Sequence, residues 1–261
     1  MRGQRILKRV GLSIALAALM IPTTNIDSIR AQAHSQGESS SFDVAFTDCV
    51  ESIGVTLAPT ASVRQLVPQS FILAGDGQPV TPLVVRTSHC GRITTEGHGQ
   101  RGGDIVQIGA VLVPPDFTGD INNYTIWYYT SDLRLALRLL ASGVSAQYVP
   151  TIDYNYETDD GTLHVRVPLP GIPRFVLSGS VAPSPEPAGS FLANWWQEVQ
   201  GGKVKMSTNV PVINIGAADL TLTTNSNGPL GQLIGGSSTG FPIIQQFNTF
   251  ASAQMHVTTA P

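Results

Sequence analysis

Lysine is almost missing from this chain of 261 residues: after Lys8 it occurs only at Lys203 and Lys205. Charge of either sign is sparse, at 13% of residues, and much of the basic charge gathers at the start. Arg2, Arg5, Lys8 and Arg9 precede the apolar run Val10 to Ile21. That run is short for a bilayer span, since a crossing helix needs about 20 apolar residues. The pattern reads as a secretory signal over residues 1–33, broken by Pro22 and cleaved after Ala31-Gln32-Ala33. A retained membrane anchor is the alternative. Cleavage would remove five basic residues and one acidic residue, leaving a net charge of −7. No Lys/Arg cluster then remains, which argues against nucleic acid or an anionic membrane surface as a partner.

Cysteine is equally scarce, with Cys49 and Cys90 alone. In an oxidising compartment an even count predicts a bridge between them. A sharper alternative groups Cys90 with His89, Glu96 and His98 as a metal or thiol site, but Gly91, Gly97 and Gly99 read as loop and no established ligand spacing is matched. No metal and no cofactor is expected. The letters Gly97-His98-Gly99-Gln100-Arg101-Gly102 spell GxGxxG, yet a β-branched run follows them where a dinucleotide fingerprint needs a helix. The residue inventory permits a Ser-His-Asp triad, but no GxSxG elbow occurs. Internal repeats are also lacking.

What is present is a strand-rich pattern. Residues 34–41 form a polar tail, and a single domain is expected over residues 42–261. Strands are predicted at Glu51 to Ala58, Val80 to Thr87, Asp104 to Val113, Tyr124 to Thr130, Tyr148 to Glu157, Thr162 to Leu169, Arg174 to Ala182, Lys203 to Thr208, Val212 to Thr224 and Ile244 to Thr258. Short helices are predicted at Ala61 to Val67, capped by Thr60, and from Ser131 or Thr130 through Ala141, with Gly143 as its stop. The latter would bury Leu133, Ala136, Leu137 and Leu140 on one face. A third helix is read in FLANWWQEVQ, capped by Ser190, and a last helical turn in Pro229 to Ile234. Together these give an α+β fold: a mainly antiparallel, strongly curved β-sheet closing into a cone or barrel, with a few short helices.

Four segments carry a family likeness. They are VRQLVPQSF (Val63 to Phe71), the strand, helix and glycine turn of Tyr124 to Glu157, the tryptophan pair Trp195-Trp196 running on through GGKVKMST, and GPLGQLIGG (Gly228 to Gly236). In this order they resemble the acetoacetate decarboxylase-like superfamily. The resemblance implies a cone of antiparallel sheet around a small-molecule pocket, and a homo-oligomeric, ring-like assembly. It also implies a lysine just after the glycine turn that forms a Schiff base with a keto acid. Here that place reads Gly143-Val144-Ser145-Ala146-Gln147, so Ala146 and Gln147 mark the position of the lost lysine.

Such chemistry needs a neutral amine, and only Lys203 and Lys205 remain as weak catalytic candidates. Two apart on a strand, they share a face and could depress one another's pKa; the plainer reading turns both to solvent and Val204 and Met206 to the core. Other polar groups are candidates for ligand binding. A hairpin turning on Asp160-Gly161 would set Asn155 opposite Arg166 and Glu157 opposite His164, a polar face able to hold a carboxylate if it lined a barrel. The same residues on a solvated outer face, with the tyrosines inward, are the alternative. Arg134 and Arg138, one helical turn apart, are either a solvated stripe or an anion-holding pair. Two functions follow. The first is a secreted or periplasmic protein that binds a small, partly apolar molecule, with a carboxylate or carbonyl group, without Schiff-base decarboxylation. The second is a carbon–carbon lyase acting on a keto acid through a relocated or different catalytic group.

Overall fold

A computed structural model describes residues 41–168 and 174–260. The expected signal, the tail up to residue 40 and Leu169 lie outside the described residues. Strands β1 (Phe42–Pro59), β2 (Val80–Thr95), β3 (His98–Val111) and β4 (Ile121–Thr130) form an antiparallel meander, with helix α1 (Thr60–Arg64) between the first two. Helix α2 (Leu133–Ala141), β5 (Ala146–Tyr148), β6 (Asp153–Glu157), β7 (Thr162–Val167) and β8 (Phe175–Ala182) follow. The chain ends through β9 (Pro187–Val199), β10 (Gly202–Thr224), α3 (Pro229–Ile234), β11 (Ser238–Thr239) and β12 (Ile244–Ala260).

Hydrogen bonding runs from β12 through β1, β2, β3, β4, β9 and β10 and returns to β12, closing a ring of seven strands. All of these pairings are antiparallel except β4 with β9. Beyond the ring, the second half of β10 carries β8, β7 and β6 as a flap. Two apolar cores result. One fills the ring with Val44, Phe46, Ile93, Tyr128, Trp195, Met206 and Met255 among others. The other, including Leu83, Val106, Leu163, Leu177, Trp196 and Phe247, lies on the opposite face of these strands, against the flap.

The pleat changes phase inside β1. Phe42, Val44 and Phe46 face the ring interior, whereas after Asp48 the interior positions are Cys49, Glu51 and Ile53. Asp48 has φ 54°, in the left-handed region. The opposite positions, Gly91 in β2 and Ala251 in β12, mark the same switch, with Cys90 and Phe250 inward on one side and Ile93 and Ala253 inward on the other. The switch brings a carboxylate, Glu51, into the ring.

Several expected elements are corrected. FLANWWQEVQ is not a helix: Phe191 to Val199 form the later part of β9, and Gln200 begins the turn after it. Asn194, Trp195, Trp196 and Gln197 are all buried because Trp195 faces one core and Trp196 the other. A strand covered on both faces loses its alternation and cannot be told from a buried helix by period. In α2 the buried side chains are Leu135, Ala136 and Leu139, while Leu133, Leu137 and Leu140 are exposed. Its cap is Asp132, whose carboxylate accepts from the Leu135 amide at 2.8 Å. Gly143, at φ 88°, turns the chain out of the helix as expected. Pro59, not Thr60, precedes α1, with no side-chain cap. The hairpin pairs Asp153 with Arg166, Asn155 with His164 and Glu157 with Thr162, two residues from the expected register, because the connection is a four-residue turn, Thr158 to Gly161.

Candidate functional site

Chemistry-bearing groups converge inside the ring. Glu51 from β1 pairs with Arg86 from β2, Oε2 accepting from Nε at 2.5 Å. Arg86 Nη1 donates to Gln107 Oε1 of β3 at 2.5 Å, and Asn248 of β12 donates to Glu51 Oε1 at 3.4 Å. The carboxylate and guanidinium side chains are only 6% and 13% exposed. Buried charges persist when they are paired and hydrogen-bonded, as these are. Tyr128, on β4 beside the pair, is fully buried; that burial pushes its hydroxyl pKa well above the ordinary value, only partly offset by the positive Arg86. It therefore stays protonated at neutral pH.

The pair opens onto a recess whose other walls are Ile53, Val84, Ile121, Asn123, Phe191, Ala193, Trp195, Thr208 and Val210. Its empty space is about 440 Å³ including the part open to solvent, of which little admits a water-sized group. The recess as it stands therefore has room for a group of a few atoms. Two local features set the wall. A Cβ on Gly109 would lie 2.7 Å from Trp195 Cζ3 and 2.2 Å from the Tyr124 carbonyl oxygen, so the bare glycine lets the indole approach. On the other face Trp196 Nε1 donates to Asn122 Oδ1 at 2.9 Å, and Asn194 bridges Asn122, Thr118 and Ser207, which fixes the parallel β4–β9 register.

Asn123 is 1% exposed, and among the described residues its Oδ1 has no hydrogen-bond partner. Arg86 donates through Nε and Nη1 within the network. None of Glu51, Arg86, Gln107, Asn123 and Asn248 was singled out from the sequence. The available signal was a charged residue inside otherwise apolar strands, as in LVVRTS and CVESIGV.

The residues expected from the sequence lie elsewhere. Lys203 and Lys205 flank Val204 and Met206, which are fully buried in the ring, and both lysines project from the opposite face. Lys203 Nζ donates to the Ser70 carbonyl at 3.3 Å and sits 4.6 Å over the Phe71 ring. Lys205 Nζ pairs with Asp116 at 2.6 Å, donates to Thr118 Oγ1 at 2.7 Å and lies 5.3 Å over Trp196. Glu157, His164 and Arg166 are exposed on the flap, Asn155 donates to Glu157 at 3.0 Å, and Tyr154 and Tyr156 turn toward the core. Arg134 is exposed, whereas Arg138 pairs with Glu96 at 2.6 Å and stacks 4.8 Å over Phe42. Ala146 is buried within the ring core beside Tyr128, and Gln147 is exposed. Cys49 and Cys90 are joined as a disulfide, which removes Cys90 from any thiol or metal site.

His89 Nδ1 lies 2.8 Å from Asp104 Oδ1, and Ser131 Oγ donates to Asp104 Oδ2 at 3.1 Å. The aspartate is central in this chain, so the serine hydroxyl is not aimed at the imidazole as a triad requires. Among the described residues no helix is long and apolar enough to cross a membrane.

No protein-family model and no curated protein sequence matches the chain. Solved structures do. Acetoacetate decarboxylase from Legionella pneumophila superposes with a TM-score of 0.53 at 10% identity, over 89% of this chain and 95% of that one. The enduracididine biosynthesis enzyme MppR, complexed with pyruvate, gives 0.51 at 12% identity, over 87% and 90%. An acetoacetate decarboxylase-like enzyme from Sphingomonas wittichii RW1 gives 0.51 at 11% identity, over 85% and 94%. The closed seven-stranded ring with its flap is thus the acetoacetate decarboxylase-like fold.

Proposed function

We propose that this is a secreted or periplasmic protein that binds a small, partly apolar molecule, head first, in the recess of the ring, without Schiff-base decarboxylation. One observation carries the reading: the recess has apolar walls and polar groups at Arg86 and Asn123, while position 146 holds a methyl group and both remaining lysines point away from the interior. Pockets of this make-up, apolar with a few placed polar groups, are those that orient small ligands. The pyruvate complex of MppR supports a carbonyl-bearing ligand for a ring of this kind. Export is supported by the Cys49–Cys90 bridge, which persists in oxidising compartments.

The test is a calorimetric titration of the protein with short keto acids, amides and alcohols, followed through Trp195 fluorescence, together with borohydride treatment in the presence of pyruvate. Binding without a covalent adduct is expected. A borohydride-stable adduct that disappears in Lys205→Ala or Lys203→Ala would replace binding with the lyase reading.

A further inference from the structure

Helix α2 is apolar on both faces. Leu135, Ala136 and Leu139 are buried, while Leu133, Leu137 and Leu140 stand 47%, 56% and 50% exposed. At about 100° per residue these three form one outward stripe, and Arg134 and Arg138 follow along a single edge of it. A lone exposed leucine is ordinary, but three in one stripe on a nine-residue helix make a contact surface.

The β2–β3 hairpin borders the arginine edge. Arg138 pairs with Glu96 at 2.6 Å, and Arg134 shares a surface depression with Gly97, His98, Gly99 and Gln100. The Arg92 guanidinium lies across Gly99, where a Cβ would come within 3.1 Å of its Nη1, and Arg101 stands directly opposite Arg92 in the strand register. Both arginines are exposed. Like charges placed opposite one another on a sheet repel, so an anion is the partner they lack. Arg92, Arg101 and Arg134 form no ion pair among the described residues. Of the nearby acids, Glu96 is taken up by Arg138 and Asp132 is buried as the cap of α2. Spread from 92 to 138, these arginines make no cluster in the sequence; the hairpin and the helix bring them together. The chain as a whole has a net charge of −3, so this face is opposite in sign to the whole.

The occupant has to be apolar at the leucines and anionic beside them. A second copy of the chain fits badly, because a symmetric contact through this face would set arginines against arginines. A soluble polyanion satisfies the arginines but leaves the leucines in water. The surface of an anionic bilayer offers both, with phosphates at the level of the arginines and the acyl boundary beneath them.

We propose that α2 and the β2–β3 hairpin dock the protein on an anionic lipid surface, with Leu133, Leu137 and Leu140 entering the head-group boundary and Arg92, Arg101 and Arg134 holding lipid phosphates.

The test is co-sedimentation of the exported, disulfide-bonded protein with vesicles of phosphatidylcholine alone and of phosphatidylcholine and phosphatidylglycerol in equal parts. Binding to the anionic vesicles is expected to be about tenfold stronger or more, and to fall as salt is raised. Arg134→Glu should weaken it about tenfold. Leu137→Ser combined with Leu140→Ser should weaken it by a similar factor and leave retention on heparin unchanged. No preference of the wild-type protein for the anionic vesicles overturns the proposal. Binding that the α2 variants leave unchanged also overturns it, by placing the lipid contact elsewhere in the chain. Heparin retention as tight as vesicle binding, with both indifferent to the leucine pair, would assign the arginines to a soluble polyanion and overturn it too. The wild-type comparison of the two vesicles decides without relying on any variant's folding.

Discussion

Ala146 pairs in parallel register with Tyr128 and contributes its methyl group to the apolar core of the ring, 2% exposed. The place where the resemblance sets an amine is therefore buried among apolar side chains. Ala146→Lys should overpack the core and bury a charge, with a loss of about 3 kcal/mol or more. Urea unfolding measures this, and a midpoint unchanged from wild type would mean that the position is open.

The Glu51–Arg86 pair yields a second expectation. Removing one partner of a buried ion pair leaves the other uncompensated, typically at about 3–5 kcal/mol. Glu51→Ala should lose that much, and Glu51→Gln distinctly less because the amide oxygen can still accept from Arg86. Equal, small losses in both variants would show the pair to be solvated.

Reduction of Cys49–Cys90 opens a loop of sequence separation 41. On the chain-entropy account such a loop contributes up to about 4 kcal/mol. Dithiothreitol should therefore lower the unfolding midpoint clearly, and Cys49→Ala with Cys90→Ala should match the reduced protein.

His89 gives a pH signature. Its hydrogen bond to Asp104 raises its pKa above the ordinary histidine value, against an opposing effect of burial. The stabilisation is fully present below the unfolded value and is lost as pH rises through the raised folded value. With the imidazole 42% exposed, solvent screening keeps it under about 1 kcal/mol. Stability measured from pH 6 to pH 9 should show a shallow decline that His89→Gln abolishes.

The strand-rich character, the cystine, the stop at Gly143 and the inward Val204 and Met206 were legible because each rests on local chemistry. A β-branched run, an even cysteine count, a glycine after a helix and a two-residue period need no partner to be read. The β9 segment was not, since a strand packed on both faces shows no alternation. Nor was the hairpin register, which a four-residue turn shifted by two positions.

The sequence by itself determined that the chain is poor in amines, closes one cystine and builds mostly strands, and it carried enough likeness to indicate the fold. Tertiary structure decided where the polar chemistry lies. Extending the alternation of Phe42, Val44 and Phe46 would put Glu51 outside the ring; the left-handed turn at Asp48, aligned with Gly91 and Ala251 on the neighbouring strands, reverses the pleat and carries it inside to Arg86. A one-residue change of phase inverts every later side chain in a strand, and only the pairing of adjacent strands fixes where it occurs.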